Sequence, residues 1–175
     1  MDKAITANFR WSAYELLTAQ GIHLRHSPNF RKVQRGRWTI APFGILVGIV
    51  ILVKHGFQPM GLLGLFFIVL STALSAFPLI IRRMTLQHYA RRPDQDMLVN
   101  WEFYPDHIVS KTEASSATLE WRMISRVLQA TQGFLLYPNV RMFHWLPIHA
   151  FREPADSKAF AQLAKSKVQH YDQVV

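Results

Sequence analysis

Histidines are the side chains of this sequence that are best suited to acid–base chemistry. His144 and His149 could each accept or release a proton near neutral pH, where imidazole titrates. No acidic or nucleophilic partner is readable near His144 in the sequence, so a position at the edge or rim of a sheet is the favoured interpretation of this residue. His23 and His26 are three residues apart and could bind a metal ion from one helix face, but a third ligand at matching spacing is missing. The sequence therefore predicts neither a metal site nor a cofactor.

Two aspartates offer the other candidate chemistry. Asp94 and Asp96 follow Pro93 and could hold a divalent cation together with a phosphate group. Without a glycine-rich phosphate loop, a polar linker explains the same residues. The chain has no cysteine, and it lacks the GxSxG, HExxH and P-loop motifs. We therefore expect the protein not to be an enzyme, and a small enzyme or transport accessory that uses His144, His149 or the two aspartates remains an alternative.

Two uncharged apolar segments dominate the first half of the chain. Gly61–Ile81 would reach roughly 31 Å as a helix, at about 1.5 Å per residue, which matches the hydrocarbon core of a bilayer. Trp38–Val53 is shorter, and it spans comfortably only if Lys54 extends its side chain to the interface and residues 55–57 lengthen the helix. A chain of 175 residues has too little other apolar surface to bury both segments. We predict a transmembrane helical hairpin over residues 38–81, with helices at about 38–57 and 61–81.

The formal net charge of +9 comes mainly from the flanks of these segments. Arg35 and Arg37 belong to a basic run before the first segment, Arg82 and Arg83 follow the second, and the connecting loop has one lysine. By the positive-inside rule both termini are cytoplasmic. Together with Trp38, these arginines form the predicted membrane interface, where they could contact anionic phospholipids.

Residues 93–175 are nearly neutral, with 8 Lys/Arg against 9 Asp/Glu. A domain that binds nucleic acid has a basic surface, so we predict no nucleic-acid partner. The expected partners are the lipid bilayer and an unknown protein or a second copy of this chain.

Glycines recur in the two apolar segments. Gly44, Gly48, Gly61 and Gly64 have four- and three-residue spacings, which would allow two helices to approach closely. Glycine is also frequent in membrane helices without such a role. We expect Pro42 to lie near the start of its helix, where the missing amide is tolerated.

Residues 1–37 predict a strand and a helix on the cytoplasmic side. The stretch AITANF alternates as a strand does, and SAYE matches a capping box. In that motif Ser12 accepts a hydrogen bond from the amide of Glu15, and the carboxylate of Glu15 reaches back to the helix start. A helix should therefore begin at about Ala13, and we expect the whole segment to pack with the second half of the chain.

Residues 82–96 predict a juxtamembrane linker, and residues 97–175 a cytoplasmic domain. The stretch MLVNWEF alternates strongly, and five further short strands follow between turns. From Asp156 onward, apolar residues recur at helical spacing: Phe160, Leu163, Ala164, Val168 and Tyr171. The fold class is a membrane α+β protein, in which a two-helix transmembrane hairpin is joined to a small antiparallel sheet or open barrel of seven strands with a C-terminal helix as its cap.

The second half of the chain resembles the YcxB-like membrane proteins. The residues that carry the resemblance are apolar and aromatic, namely Trp121, Ile124, Val127, Phe134, Leu136, Tyr137, Pro147 and Phe151. The resemblance implies a pleckstrin-homology-like (PH-like) barrel with a capping helix and a bacterial inner-membrane location, and it implies no known molecular function. Members often have a basic residue directly after the proline, whereas Ile148 follows Pro147 here. A role of that basic position therefore does not transfer to this chain.

The hairpin at residues 133–147 is apolar or aromatic at nearly every strand position. We expect one face to lie under Phe160, Leu163 and Val168, and the other to meet the membrane surface or a partner through Arg141 and Trp145. The leading hypothesis is a non-enzymatic inner-membrane protein that displays a PH-like module for binding protein or phospholipid. An immunity or regulatory protein that blocks a specific partner is an alternative with the same architecture.

Overall fold

Two units make up the chain: residues 1–22 together with 89–175, and residues 23–88. The computed structural model describes residues 4–26, 28–91, 95–113, 115–139 and 142–174, and only the backbone of residues 28–39. Across these residues the α-helices are α1 (Ala13–His26), α2 (Pro28–His55), α3 (Pro59–Tyr89) and α4 (Pro154–Lys167). The strands are β1 (Ile5–Arg10), β2 (Leu98–Phe103), β3 (His107–Thr112), β4 (Ser116–Glu120), β5 (Arg126–Ala130), β6 (Gly133–Asn139), β7 (Met142–Pro147) and β8 (His170–Gln173).

The first unit is built from two four-stranded sheets. One sheet has the order β1-β2-β3-β4 and is antiparallel throughout. The other has the order β7-β6-β5-β8, and its β5–β8 pair is parallel. In β2 the predicted alternation is confirmed, because Trp101 and Phe103 are buried whereas Leu98 is exposed. An α+β fold is thus established, but the described strands do not form a closed barrel, and a single bridge joins Ala7 to Phe151.

Phe160 of α4 lies at the centre of the first unit. Its side chain is fully buried, and its ring centroid lies 4.4 Å from that of Phe103 in β2 and 4.9 Å from that of Phe134 in β6. The helix therefore fills the space between the two sheets, as the apolar spacing predicted. Trp101, Trp121 and Trp145 are buried too.

The end of α4 corrects the sequence prediction. The helix stops at Lys167, and Val168 already has extended backbone angles. Tyr171, which was predicted to continue the helix, lies in β8 and pairs with Val127 of β5. The reason is that β5 offers a free edge to which these residues can hydrogen-bond, so eight strands form instead of the predicted seven.

The second unit contains α2 and α3, which meet at a turn where Gly56 has a φ of 57°. Among the described residues, α3 is long and apolar enough to cross a membrane, whereas Ile40–His55 is a shorter apolar helix. The helix α2 begins at Pro28, well before the predicted start at residue 38, so Pro42 lies inside α2 and not near its start. The helix α3 is longer than its predicted span at both ends. The two-helix transmembrane hairpin stays a prediction.

Glycines allow α2 and α3 to pack closely, as their spacing predicted. A Cβ atom added to Gly48 would lie 2.6 Å from the carbonyl oxygen of Gly64, and one added to Gly64 would lie 2.6 Å from the carbonyl oxygen of Gly48. A Cβ added to Gly44 would collide with the hydroxyl of Ser71, which is buried. Gly61 differs, because its nearest neighbour is the backbone of Gly56 in the turn.

Candidate functional site

Glu15 is a buried carboxylate at the start of α1. Ser12 caps this helix as predicted, because its hydroxyl accepts a hydrogen bond of 3.3 Å from the amide of Glu15. The prediction that the Glu15 carboxylate reaches back to the start of the helix is wrong. The side chain of Glu15 turns into the unit, where the residue is 5% exposed.

Two residues from the other end of the sequence meet this carboxylate. The indole nitrogen of Trp145 in β7 donates a hydrogen bond of 2.5 Å to Oε2 of Glu15. Nε2 of His149, which follows β7, lies 3.5 Å from Oε1 of Glu15, and the His149 side chain is 62% exposed. A buried acid is thus held by a buried donor on one side and by a solvent-accessible imidazole on the other.

This arrangement gives His149 a buried acidic neighbour from the other end of the sequence. A carboxylate beside an imidazole can orient the ring. Catalysis would also need a reacting group, and within the described residues no three His, Cys, Asp or Glu side chains come together to hold a metal ion. The contact to Trp145 joins the first turn of α1 to β7, so the cluster stabilises the unit whatever else it does.

His144 lies apart from the buried carboxylate, against Trp101. The two ring centroids are 5.5 Å apart with the planes at 67°, an edge-to-face contact between β7 and β2. Burial lowers the pKa of His144, since a desolvated imidazole resists protonation. The lowered pKa favours the neutral imidazole at pH 7.

We expect His144 to make the protein less stable in mild acid. Its pKa is lower when folded than its usual 6.5, so the unfolded chain binds the proton more readily. The stability contributed by the neutral ring is complete above pH 6.5 and is lost as the pH falls through the folded pKa. Chemical unfolding at pH 7.5 and 5.5 tests this, and His144→Gln should reduce the difference between the two. An unchanged difference would assign the acid sensitivity to other groups.

Asp96 has a structural role. Its φ is 57°, and its amide donates to the carbonyl oxygen of Trp11 at 2.9 Å and to the hydroxyl of Tyr89 at 3.0 Å. That hydroxyl also lies 2.5 Å from the Trp11 carbonyl oxygen and 3.3 Å from Oδ1 of Asp96. The residue therefore fixes the chain before β2. Asp94 lies outside the described residues, so the structure does not test the alternative in which the two aspartates hold a cation.

Residues 103–164 match the family model of the YcxB-like proteins. The chain carries a YcxB-like region. This confirms the resemblance drawn from the sequence for the part of the chain from the end of β2 to α4. No curated protein and no solved structure matches the chain.

The residues that carry the YcxB-like resemblance are all in the core. Trp121, Ile124, Val127, Phe134, Leu136, Tyr137, Pro147 and Phe151 are each at most 7% exposed. The pattern therefore reports packing of the sheets and α4. Glu15 lies outside the matched region, so its contacts to Trp145 and His149 link the YcxB-like region to a segment that the family model does not include.

The remaining predicted site residues are scattered. Trp145 is 3% exposed, so little of its surface is available to a partner, and Arg141 lies outside the described residues. Arg82 and Arg83 are exposed on α3. The side chains of Arg35, Arg37 and Trp38 are not described. His23 and His26 both lie on α1 at the predicted spacing.

Proposed function

We propose that this protein is a membrane-anchored binding protein. In this proposal α2 and α3 insert into the lipid, and the unit with the YcxB-like region binds a protein partner. The observation that carries it is the apolar surface of the second unit, where Phe43, Val53 and Val69 are 67%, 81% and 60% exposed and many further large apolar side chains are similarly open. Soluble proteins rarely expose apolar patches of more than a few hundred Å².

The location follows from the same surface and from charge. The arginines before the apolar part of α2 and after the apolar part of α3 favour a hairpin with both ends in the cytoplasm of a bacterium, at the inner membrane. Arg82 and Arg83 are exposed where such an orientation needs them. A bilayer would then cover the apolar side chains, which in water cost about 25 cal/mol for each Å².

A protein partner suits the first unit better than an anionic lipid does. Two four-stranded sheets around one helix support a PH-like module, a type of scaffold that presents edges and loops for binding. Residues 93–175 have 8 Lys/Arg against 9 Asp/Glu, so the module lacks the positive field that attracts phosphate headgroups. The partner is therefore recognised by shape and hydrogen bonding.

The test is purification of the full chain from membranes in a mild detergent. We expect a protein to copurify in a fixed ratio, and we expect a reporter fused after Val175 to be active only in the cytoplasm. A partner whose own activity falls on binding would identify a regulatory or immunity protein. If the chain binds anionic vesicles more tightly than neutral ones and no protein copurifies, the proposal of a protein partner fails.

An arginine substituted into the apolar surface of α3 tests whether lipid or water surrounds this helix. Val69→Arg should reduce the fraction of chains that resists alkaline extraction from membranes, because arginine near the middle of a membrane helix costs about 3 kcal/mol. Met123→Arg is the matched control, since Met123 is a similarly exposed apolar residue, at 53%, in the first unit. Equal behaviour of the two variants would contradict insertion of α3.

A further inference from the structure

The second unit has a positive charge that no acidic residue offsets. Residues 23–88 contain eight Lys/Arg and no Asp or Glu, whereas residues 93–175 are nearly neutral. Lys54 lies next to the turn between α2 and α3, and the other seven precede the first apolar segment or follow the second. Orienting a hairpin requires only more positive charge at one end than at the other, so orientation does not explain the complete lack of carboxylates.

The packing of α2 against α3 brings cations of both helices to one level. Gly44 of α2 faces Ser71 of α3, and the two helices run in opposite directions from the turn. Twelve residues from Gly44 towards the start of α2 is Lys32, and twelve residues from Ser71 towards the end of α3 is Arg83. Both helices are continuous over these stretches. The basic run of α2, residues 31–37, therefore lies beside the arginines of α3.

Apolar and cationic side chains share one exposed face of α3. Arg82 and Arg83 are exposed, and Leu79, which precedes them by three and four residues, is 69% exposed. Residues at these spacings are neighbours on the surface of a helix. Met84 follows Arg83 and is 51% exposed as well. A phospholipid suits both kinds of side chain, because it joins a phosphate group to acyl chains. A free phosphate or an acidic protein surface would meet the arginines and leave Leu79 in water.

We propose that the ends of α2 and α3 away from the turn form a binding site for one anionic phospholipid. The phosphate group lies between Arg83 and the basic run of α2, and an acyl chain lies along Leu79. Each cation near the phosphate adds attraction, so two helices together bind the lipid more tightly than one helix would. The inference rests on the insertion of α2 and α3 into lipid, which is part of the proposed function, and it is independent of the protein partner of the first unit.

Lipid binding to the purified full chain in a neutral detergent tests the proposal. The probes are phosphatidylglycerol and phosphatidylcholine with the same acyl chains, which differ in the charge of the headgroup, and native mass spectrometry counts the bound lipids. We expect a single phosphatidylglycerol to bind at least about 10-fold more tightly than phosphatidylcholine. The double variant Arg82→Gln, Arg83→Gln should bind phosphatidylglycerol about 10-fold more weakly and phosphatidylcholine as the unchanged protein does. Equal binding of the two lipids by the unchanged protein would overturn the proposal.

The matched control is the double variant Lys54→Gln, Arg122→Gln. It removes the same charge from the turn end of α2 and from the first unit, where the side chain of Arg122 is 81% exposed. Equal binding of phosphatidylglycerol by the two double variants would reduce the effect to net charge and overturn the proposal. Lys32→Gln should also weaken the binding of this lipid, and an unchanged affinity would contradict a site that both helices share.

Further outcomes separate the lipid from its phosphate and this inference from the proposed function. If inorganic phosphate displaces phosphatidylglycerol at equal concentration, or if Leu79→Gln binds the lipid as tightly as the unchanged protein does, the acyl chain contributes nothing and the lipid site is overturned. If the lipid binds as expected and no protein copurifies, the protein partner is wrong and the lipid site stands. If a protein copurifies and the two lipids bind equally, the lipid site is wrong and the protein partner stands.

Discussion

Glu15→Ala should lower the free energy of unfolding by about 1.5 to 3 kcal/mol, the range for a hydrogen bond to a charged group. The substitution leaves the indole N–H of Trp145 without its acceptor inside the core, where Trp145 is 3% exposed and water cannot readily replace the carboxylate. Chemical unfolding of the full chain in detergent, followed by tryptophan emission, measures the loss.

Two matched variants identify the cause of this loss. Glu15→Gln keeps an oxygen acceptor of nearly the same shape, so we expect it to recover part of the stability. Ser12→Ala removes the helix cap alone, which typically costs about 1 kcal/mol, and leaves the contact between Glu15 and Trp145. If Glu15→Ala costs no more than Ser12→Ala, the buried contact contributes nothing beyond the start of the helix.

Local patterns in the sequence predicted the elements of the first unit well. The alternation in MLVNWEF identified β2, and Ser12 located the start of α1, because each depends on residues only a few positions apart. The apolar spacing of α4 correctly placed Phe160 in the core. Such patterns state which face of an element is buried, and they do not state what covers it.

Long-range partners explain the errors. The capping-box spacing predicted that Glu15 would turn back on its own helix, but Trp145 offers a buried donor that lies 130 residues away in sequence. Tyr171 is spaced from the apolar residues of α4 as a helical residue would be, but this spacing is a coincidence. Pairing with β5 determines the conformation of Tyr171. No local signal distinguishes these cases, because the competing partner is defined only when the sheets assemble.

The candidate site was missed for the same reason. His149 was identified from its chemistry, but its acidic neighbour Glu15 belongs to a segment that precedes the apolar helices in sequence. Trp145 was predicted as a partner contact, but its side chain is buried in the core. The hydrogen bond from Trp145 explains why the hairpin at residues 133–147 carries a large aromatic residue with a polar edge at this position.

Gly48→Ala should destabilise the pairing of α2 with α3 by about 1 to 3 kcal/mol, the usual cost of overpacking. The added methyl group would lie 2.6 Å from the Gly64 carbonyl oxygen and 2.7 Å from Cγ1 of Ile68. A backbone oxygen cannot rotate away, so the helices must separate. Unfolding of the full chain by titration with SDS from a mild detergent measures the change.

Alanine substitutions at two other glycines, Gly44 and Gly21, should change the stability by different amounts. In Gly44→Ala the methyl group meets the Ser71 hydroxyl, which a second substitution, Ser71→Ala, removes, so the double variant should regain most of the lost stability. Gly21→Ala meets nothing within 4 Å and should stabilise α1 by about 0.5 to 1 kcal/mol through helix propensity. Equal effects of Gly48→Ala and Gly21→Ala would mean that α2 and α3 do not pack through Gly48.

Measuring the stability loss of Gly48→Ala at several protein concentrations shows whether Gly48 packs helices within one chain or between copies. Gly48 and Gly64 face each other within one chain, so the loss should be the same at every protein concentration. A loss that grows with concentration would show that the glycines also join separate copies. Gly48 and Gly64 already contact each other within one chain, so any self-association must use the outward apolar faces of α2 and α3. Gly48→Ala should therefore leave self-association unchanged as long as the two helices remain paired.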